Sequence, residues 1–121
     1  MTSPQFDKFL EESQELQRQT LASKKKEYAT EDDRFQGFKL IAEMARVPVN
    51  FVFRVLMAKH LVSVIKILSG ELPNNPDLRQ EKFGDSANYL ELGKAWLADK
   101  ANKNNSSTPL RMTEDTDIDF D

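Results

Sequence analysis

Phe51-Val52-Phe53-Arg54-Val55-Leu56-Met57-Ala58-Lys59-His60-Leu61-Val62-Ser63-Val64-Ile65-Lys66-Ile67-Leu68 is the stretch that decides the fold class of this chain. Its β-branched content would also suit two strands. Yet no Gly, Asn or Asp interrupts it, and its length favours a single helix. Apolar residues occupy nearly the whole circumference of that helix, and a soluble helix apolar all round is normally buried on most sides. A membrane span is a poor fit, because Arg54, Lys59, His60 and Lys66 break the run and charges near the bilayer centre are costly. Val47-Pro48 marks its start, since proline disfavours helical geometry at the residue before it. Gly70 and the loop Pro73-Asn74-Asn75-Pro76 mark its end.

Working upstream, Phe35, Phe38, Ile41, Ala42 and Ala45 fall on one face of a preceding helix. The polar connection Glu27 to Asp33 leads into it, with Thr30 as the expected N-cap. Before that, Ser3-Pro4 to about Lys26 reads as an amphipathic helix whose apolar stripe (Phe6, Phe9, Leu10, Leu16, Leu21) is thin, so it belongs on the domain surface or against a partner chain. Lys24, Lys25 and Lys26 complement the dipole at its end. Downstream, a fourth helix opens near Asp77 and runs to about Ala101. It carries two adjacent stripes, one of Phe83, Ala87, Leu90 and Leu97, the other of Tyr89, Leu92 and Trp96, which implies contacts on two sides.

The expected architecture is therefore all-α: a four-helix bundle-like domain with a buried central helix, assembled as a homo-oligomer. The predicted division is an N-terminal amphipathic helix at 1–26, a helical core at 27–101 and a disordered acidic tail at 102–121. Asn104 to Pro109 reads as a linker, and Met112 to Asp121 holds too little apolar surface to offset the entropy of ordering. Asp117-Ile118-Asp119-Phe120-Asp121 has the make-up of a short peptide ligand for a basic or host protein, with Ile118 and Phe120 as anchors.

Composition narrows the function classes. A net charge of −3 over 121 residues does not fit direct nucleic-acid binding, which calls for a basic domain. With no cysteine, disulfides, thiolate nucleophiles, zinc fingers and iron–sulfur clusters are excluded. The polar start carries no secretory pattern, and the expected location is cytoplasmic, in the host cytoplasm if phage-encoded.

The chemistry-bearing residues lie mainly on the last two helices. Glu81, Asp85 and Asn88, at i, i+4 and i+7, place three oxygen-bearing side chains on one helix face. Hard cations such as Mg2+ take such ligands, often one or two carboxylates plus substrate phosphates, so Glu81 and Asp85 are the candidate metal ligands. The same carboxylates could instead form ordinary ion pairs. Arg54, Lys59 and Lys66 need anionic partners on so apolar a helix, either Glu81, Asp85 or Glu43, or the phosphates of a nucleotide. His60, the single histidine, lies on the core stripe and reads as a packing residue. Tyr28, in a polar connection, is the aromatic best placed to face a ligand, whereas Phe35 and Phe38 read as core.

Several of these segments resemble a known family. Glu27-Tyr28-Ala29 followed by Phe35, Phe38 and Ile41-Ala42, then Leu56-Met57-Ala58-Lys59-His60, then Glu81-Lys82-Phe83-Gly84-Asp85-Ser86-Ala87-Asn88-Tyr89-Leu90, resemble the phage and bacterial nucleotide-modification-associated domain. That family looks like a distant relative of the MazG-type all-α nucleoside triphosphate pyrophosphohydrolases, which are magnesium-dependent helical oligomers. The resemblance spans about Ser23 to Ala98 and implies a nucleotide-related role, with Lys59, Glu81, Asp85 and Asn88 in the polar site. The chain departs from the MazG pattern in two ways. It has no acid between Phe51 and Leu68, where that pattern has Glu-Glu-x-x-Glu, and its second element reads Glu-x-x-x-Asp. Half of the usual metal cage is missing, so binding without cleavage is the alternative, as is a non-catalytic interaction or assembly role.

Overall fold

The computed structural model describes residues 1–105, which form four helices: α1 Ser3–Tyr28, α2 Gln36–Ala45, α3 Val49–Leu68 and α4 Pro76–Asn105. The acidic segment from Met112 onward lies outside the described residues.

Local chemistry sets each boundary. Thr2 and Gln5 form a capping box at the start of α1, the Gln5 N–H donating to Thr2 Oγ1 (3.2 Å) and the Thr2 N–H to Gln5 Oε1 (2.7 Å). The other end runs two residues past Lys26, so Tyr28 sits on the last helical turn instead of in a connection. The entry to α2 differs from the expected Thr30 cap. Thr30 lies too far upstream, and its Oγ1 accepts the Asp33 N–H (3.0 Å) to close the preceding turn. The N-cap is Phe35, with no side-chain cap bond, and Asp33 orders the turn leading into it: one carboxylate oxygen accepts the Phe35 N–H (3.0 Å) and the other takes Lys39 Nζ (2.8 Å). Arg46 ends α2 in the left-handed region at φ 59°, and the Val47 N–H returns to the Ala42 carbonyl (3.0 Å). Gly70, at φ 86°, turns the chain out of α3, and Asn75 Oδ1 accepts the Leu78 N–H (2.8 Å) to start α4.

The helices form a ring of four. Helix α3 packs against α2 and α4, and α1 packs against the same two, while α1 and α3 stand diagonally opposite. An aromatic core fills the centre of one end. Phe38 stacks on Phe53 at 4.4 Å, Phe35 meets Trp96 edge-on at 5.4 Å, and Ala42 and Val52 are buried beside them. Val64 and Ile67 carry the buried face of α3 toward the other end.

This topology leaves α3 covered on fewer sides than its composition implies. Its inner face supplies Val52, Phe53, Val64 and Ile67, all buried. Among the described helices its neighbours are α2 and α4, and on its outer face Val62 and Ile65 are 50% and 61% exposed. No residue of α1 is buried, in line with its thin stripe. One close approach fixes how α1 meets α2: a Cβ on Gly37 would lie 2.9 Å from the Tyr28 carbonyl oxygen, so only glycine lets the two helices come this near.

Candidate functional site

All four corners of the ring contribute to one cavity of about 110 Å³. From α1 come Lys24 and Tyr28, one turn apart, with Lys24 Nζ 5.9 Å from the centre of the Tyr28 ring. Arg34, in the turn before α2, also lines the cavity and is held by donation from its guanidinium to the Leu21 carbonyl (3.1 Å). His60 enters from α3, and Asp85, Asn88 and Tyr89 from α4.

The polar groups at the floor are arranged around His60. Its ring stacks on Tyr89, with centres 4.9 Å apart and planes 19° from parallel. Its Nδ1 lies 3.9 Å from Asp85 Oδ2, too long for a direct hydrogen bond but close enough for the charges to interact. Burial lowers the His60 pKa below the usual histidine value, and the nearby Asp85 carboxylate opposes that shift. The imidazole is therefore neutral at pH 7 and offers one donor and one acceptor. Burial likewise raises the Tyr89 phenol pKa, so Tyr89 is a neutral hydroxyl.

Asn88 is the least compensated group in the site. It is 7% exposed, and its Oδ1 has no hydrogen-bond partner; Ser86 Oγ, deeper on the same helix, also lacks one. Leaving a buried amide oxygen unpaired costs about 1–3 kcal/mol, which a donor supplied by a ligand or water would recover.

The small cavity adjoins a larger groove of about 820 Å³ between α1 and α4. Thr20, Asp85 and Asn88 line both spaces. Phe9, Leu10 and Phe83 give the groove apolar walls, while Gln17, Arg79 and Glu81 supply polar and charged groups. The cavity alone has room for only about three or four waters, but the groove lies within the roughly 300–1,000 Å³ typical of small-molecule sites.

The sequence-named residues separate into two groups. Tyr28, Asp85 and Asn88 converge on the cavity, and Glu81 stands at the groove wall beside them. Arg54 and Lys59 line neither space. Arg54 lies over the Phe51 ring at 5.7 Å, and Lys59 is exposed on the outer half of α3. The expected pairing of the α3 cations with α4 carboxylates does not form for Lys59 or Lys66. Glu81 pairs with its neighbour Lys82 (3.3 Å), and Asp85 faces His60. The reason is angular: on α3 the lysines project away from the side that packs on α4.

Lys24 and Arg34 supply the cavity's positive charge instead. Lys24 reads in sequence as a dipole-complementing lysine, and nothing local singles out Arg34, which the turn between α1 and α2 brings in. His60 is both packed on Tyr89 and part of the cavity wall. Among the described residues no group of three or more His, Cys, Asp or Glu side chains could hold a metal ion. Glu81 and Asp85 share a face but lack an acid opposite them on α3, and Glu81 is already engaged by Lys82.

No protein-family model, curated protein or solved structure matches the chain.

Proposed function

We propose that this protein binds a nucleotide, or a closely related phosphorylated small molecule, at the four-helix junction and does not require a resident metal to do so. One observation carries this reading: Tyr28, Asp85 and the unpartnered Asn88 share a cavity with Lys24 and Arg34, and that cavity adjoins a ligand-sized groove. An aromatic face, an open amide and two cations are the groups that a base and its phosphates need.

The donor set does not favour hydrolysis. Two carboxylates one turn apart on α4 could meet a Mg2+ ion carried in on phosphates, since that ion usually keeps several waters and takes one or two protein carboxylates. A cage built by the protein itself would need acids facing them, and α3 has none between Phe51 and Leu68. Glu81 and Asp85 would then tune affinity for a metal-bound nucleotide rather than activate water.

Calorimetric titration of the purified protein with the common ribo- and deoxyribonucleoside triphosphates, with and without Mg2+, tests the proposal. Saturable binding of at least one of them, weakened by Arg34→Gln, is the expected result. Absence of binding across the panel would rule it out. A parallel assay for diphosphate release separates binding from cleavage, and release above background would reassign Glu81 and Asp85 to catalysis.

A further inference from the structure

Binding of a nucleotide at the four-helix junction leaves open which end of the ligand enters the cavity, and the two joined spaces differ in both size and charge. The cavity, at about 110 Å³, is lined by Lys24 and Arg34, neither of which lines the groove. The Arg34 guanidinium donates to the Leu21 carbonyl (3.1 Å), which fixes the group at the cavity wall with its other donors still to place. Against these two cations stands one carboxylate, Asp85, so the cavity is net positive.

The groove, at about 820 Å³, has the opposite balance. Glu81 and Asp85 are acidic, and its one cation, Arg79, is drawn aside by donating to Asn74 Oδ1 (2.6 Å) in the loop before α4. Its remaining polar groups include three neutral amides, Gln14, Gln17 and Gln80. Phe9 of α1 and Phe83 of α4 line its walls while remaining 52% and 38% exposed. Short side chains explain the open space beside these rings: Ser13 lies one turn after Phe9, and Gly84 and Ala87 follow Phe83. Asn88 stands where the two spaces meet. It lines both, is 7% exposed, and its Oδ1 has no partner, which marks the junction as built for more than a gap between surface helices.

We propose, resting on the nucleotide reading, that the phosphates enter the cavity between Lys24 and Arg34, while the nucleoside lies in the groove with its base against Phe83 and Phe9. Size supports this polarity: room for about three or four waters accommodates a phosphoryl group but not a base and its sugar. Charge supports it too, because phosphate oxygens are drawn to Lys24 and Arg34 and repelled by Glu81. The groove's aromatic walls and neutral amides suit a flat, uncharged heterocycle that carries its own donors and acceptors. Phe9 and Phe83 thereby become the residues that distinguish a nucleotide from a bare polyphosphate.

Binding of inorganic triphosphate, compared with the nucleoside triphosphate that binds most tightly, tests the polarity by calorimetry without Mg2+. Inorganic triphosphate should bind the wild-type protein more weakly than the nucleotide, and Arg34→Gln should weaken both. Phe83→Ala should weaken the nucleotide about tenfold or more and leave inorganic triphosphate unchanged. Gly84→Leu supplies a second readout by filling the groove. Leucine is the better helix former, and among the described residues an added Cβ meets within 4 Å only the flexible end of Gln80, at 3.3 Å from Nε2. That variant should keep its helical circular dichroism and bind the nucleotide no better than inorganic triphosphate. The polarity is overturned if inorganic triphosphate fails to bind, or if folded Phe83→Ala and Gly84→Leu leave nucleotide affinity unchanged or weaken both ligands equally. It is also overturned if Tyr28→Ala, and not Phe83→Ala, removes the preference for the nucleotide. These results leave nucleotide binding itself standing, whereas a protein that binds no nucleotide at all fails at the earlier reading and takes this one with it.

Discussion

Trp96 Nε1 donates a 2.6 Å hydrogen bond to Asn50 Oδ1, joining α4 to the first turn of α3 across 46 positions of sequence. The same indole meets Phe35 edge-on, so one side chain ties three elements of the ring together. Asn50→Ala would leave the partly buried indole N–H without its acceptor. The expected loss of stability is about 1–3 kcal/mol, read from urea denaturation followed by fluorescence of this single tryptophan. An unchanged midpoint would show that the bond contributes nothing net.

Gly37 should resist substitution more than its place in a helix implies. Alanine is the better helix former, yet its Cβ would fall 2.9 Å from the Tyr28 carbonyl oxygen and 3.0 Å from the Tyr28 Cβ. The end of α1 must then move away from α2. Gly37→Ala is expected to lose about 1–3 kcal/mol and to weaken ligand binding by displacing Tyr28. A variant as stable as wild type with unaltered binding would contradict the close-packing account.

Arg46 points the other way. It holds a left-handed conformation at φ 59°, where a side chain is strained. Arg46→Gly should relieve that strain, and although glycine also frees the unfolded chain, a net gain of about 0.5 kcal/mol is expected. Thermal denaturation should show a raised midpoint.

Acid should destabilise the fold through His60. Its pKa is lowered in the native state by burial, so between that value and the usual 6.5 the unfolded chain binds more protons than the folded one. The contribution is fully present above pH 6.5 and is lost as pH falls through the folded-state pKa. His60→Phe should flatten the stability profile in that window, and NMR titration of the lone imidazole should place its pKa below that of a histidine peptide. A raised value would mean that Asp85 outweighs burial.

The fold was readable in sequence because its signals are local. Four helical periodicities, Gly70 at a positive φ and Asn75 in the loop before α4 lie within a few residues of the boundaries they set. The angular spacing of Glu81, Asp85 and Asn88 likewise puts them on one face without help from the rest of the chain. What sequence could not supply was the third dimension. Arg34 reaches the cavity only because the turn between α1 and α2 folds back to the Leu21 carbonyl. Lys59 and Lys66 share a helix with His60 but lie on its far side, a distinction that an all-round apolar helix conceals. For the same reason α3 reads as buried on most sides, whereas Val62 and Ile65 on its outer face are exposed.

The most direct measurement of the ligand site is the NMR spectrum of the His60 imidazole during nucleotide addition, since this only histidine lines the cavity. The expected result is a saturable shift of its ring protons, reduced in Asn88→Leu while the rest of the spectrum stays folded. His60 signals that do not move with any nucleoside triphosphate, with or without Mg2+, would contradict a nucleotide site at the four-helix junction.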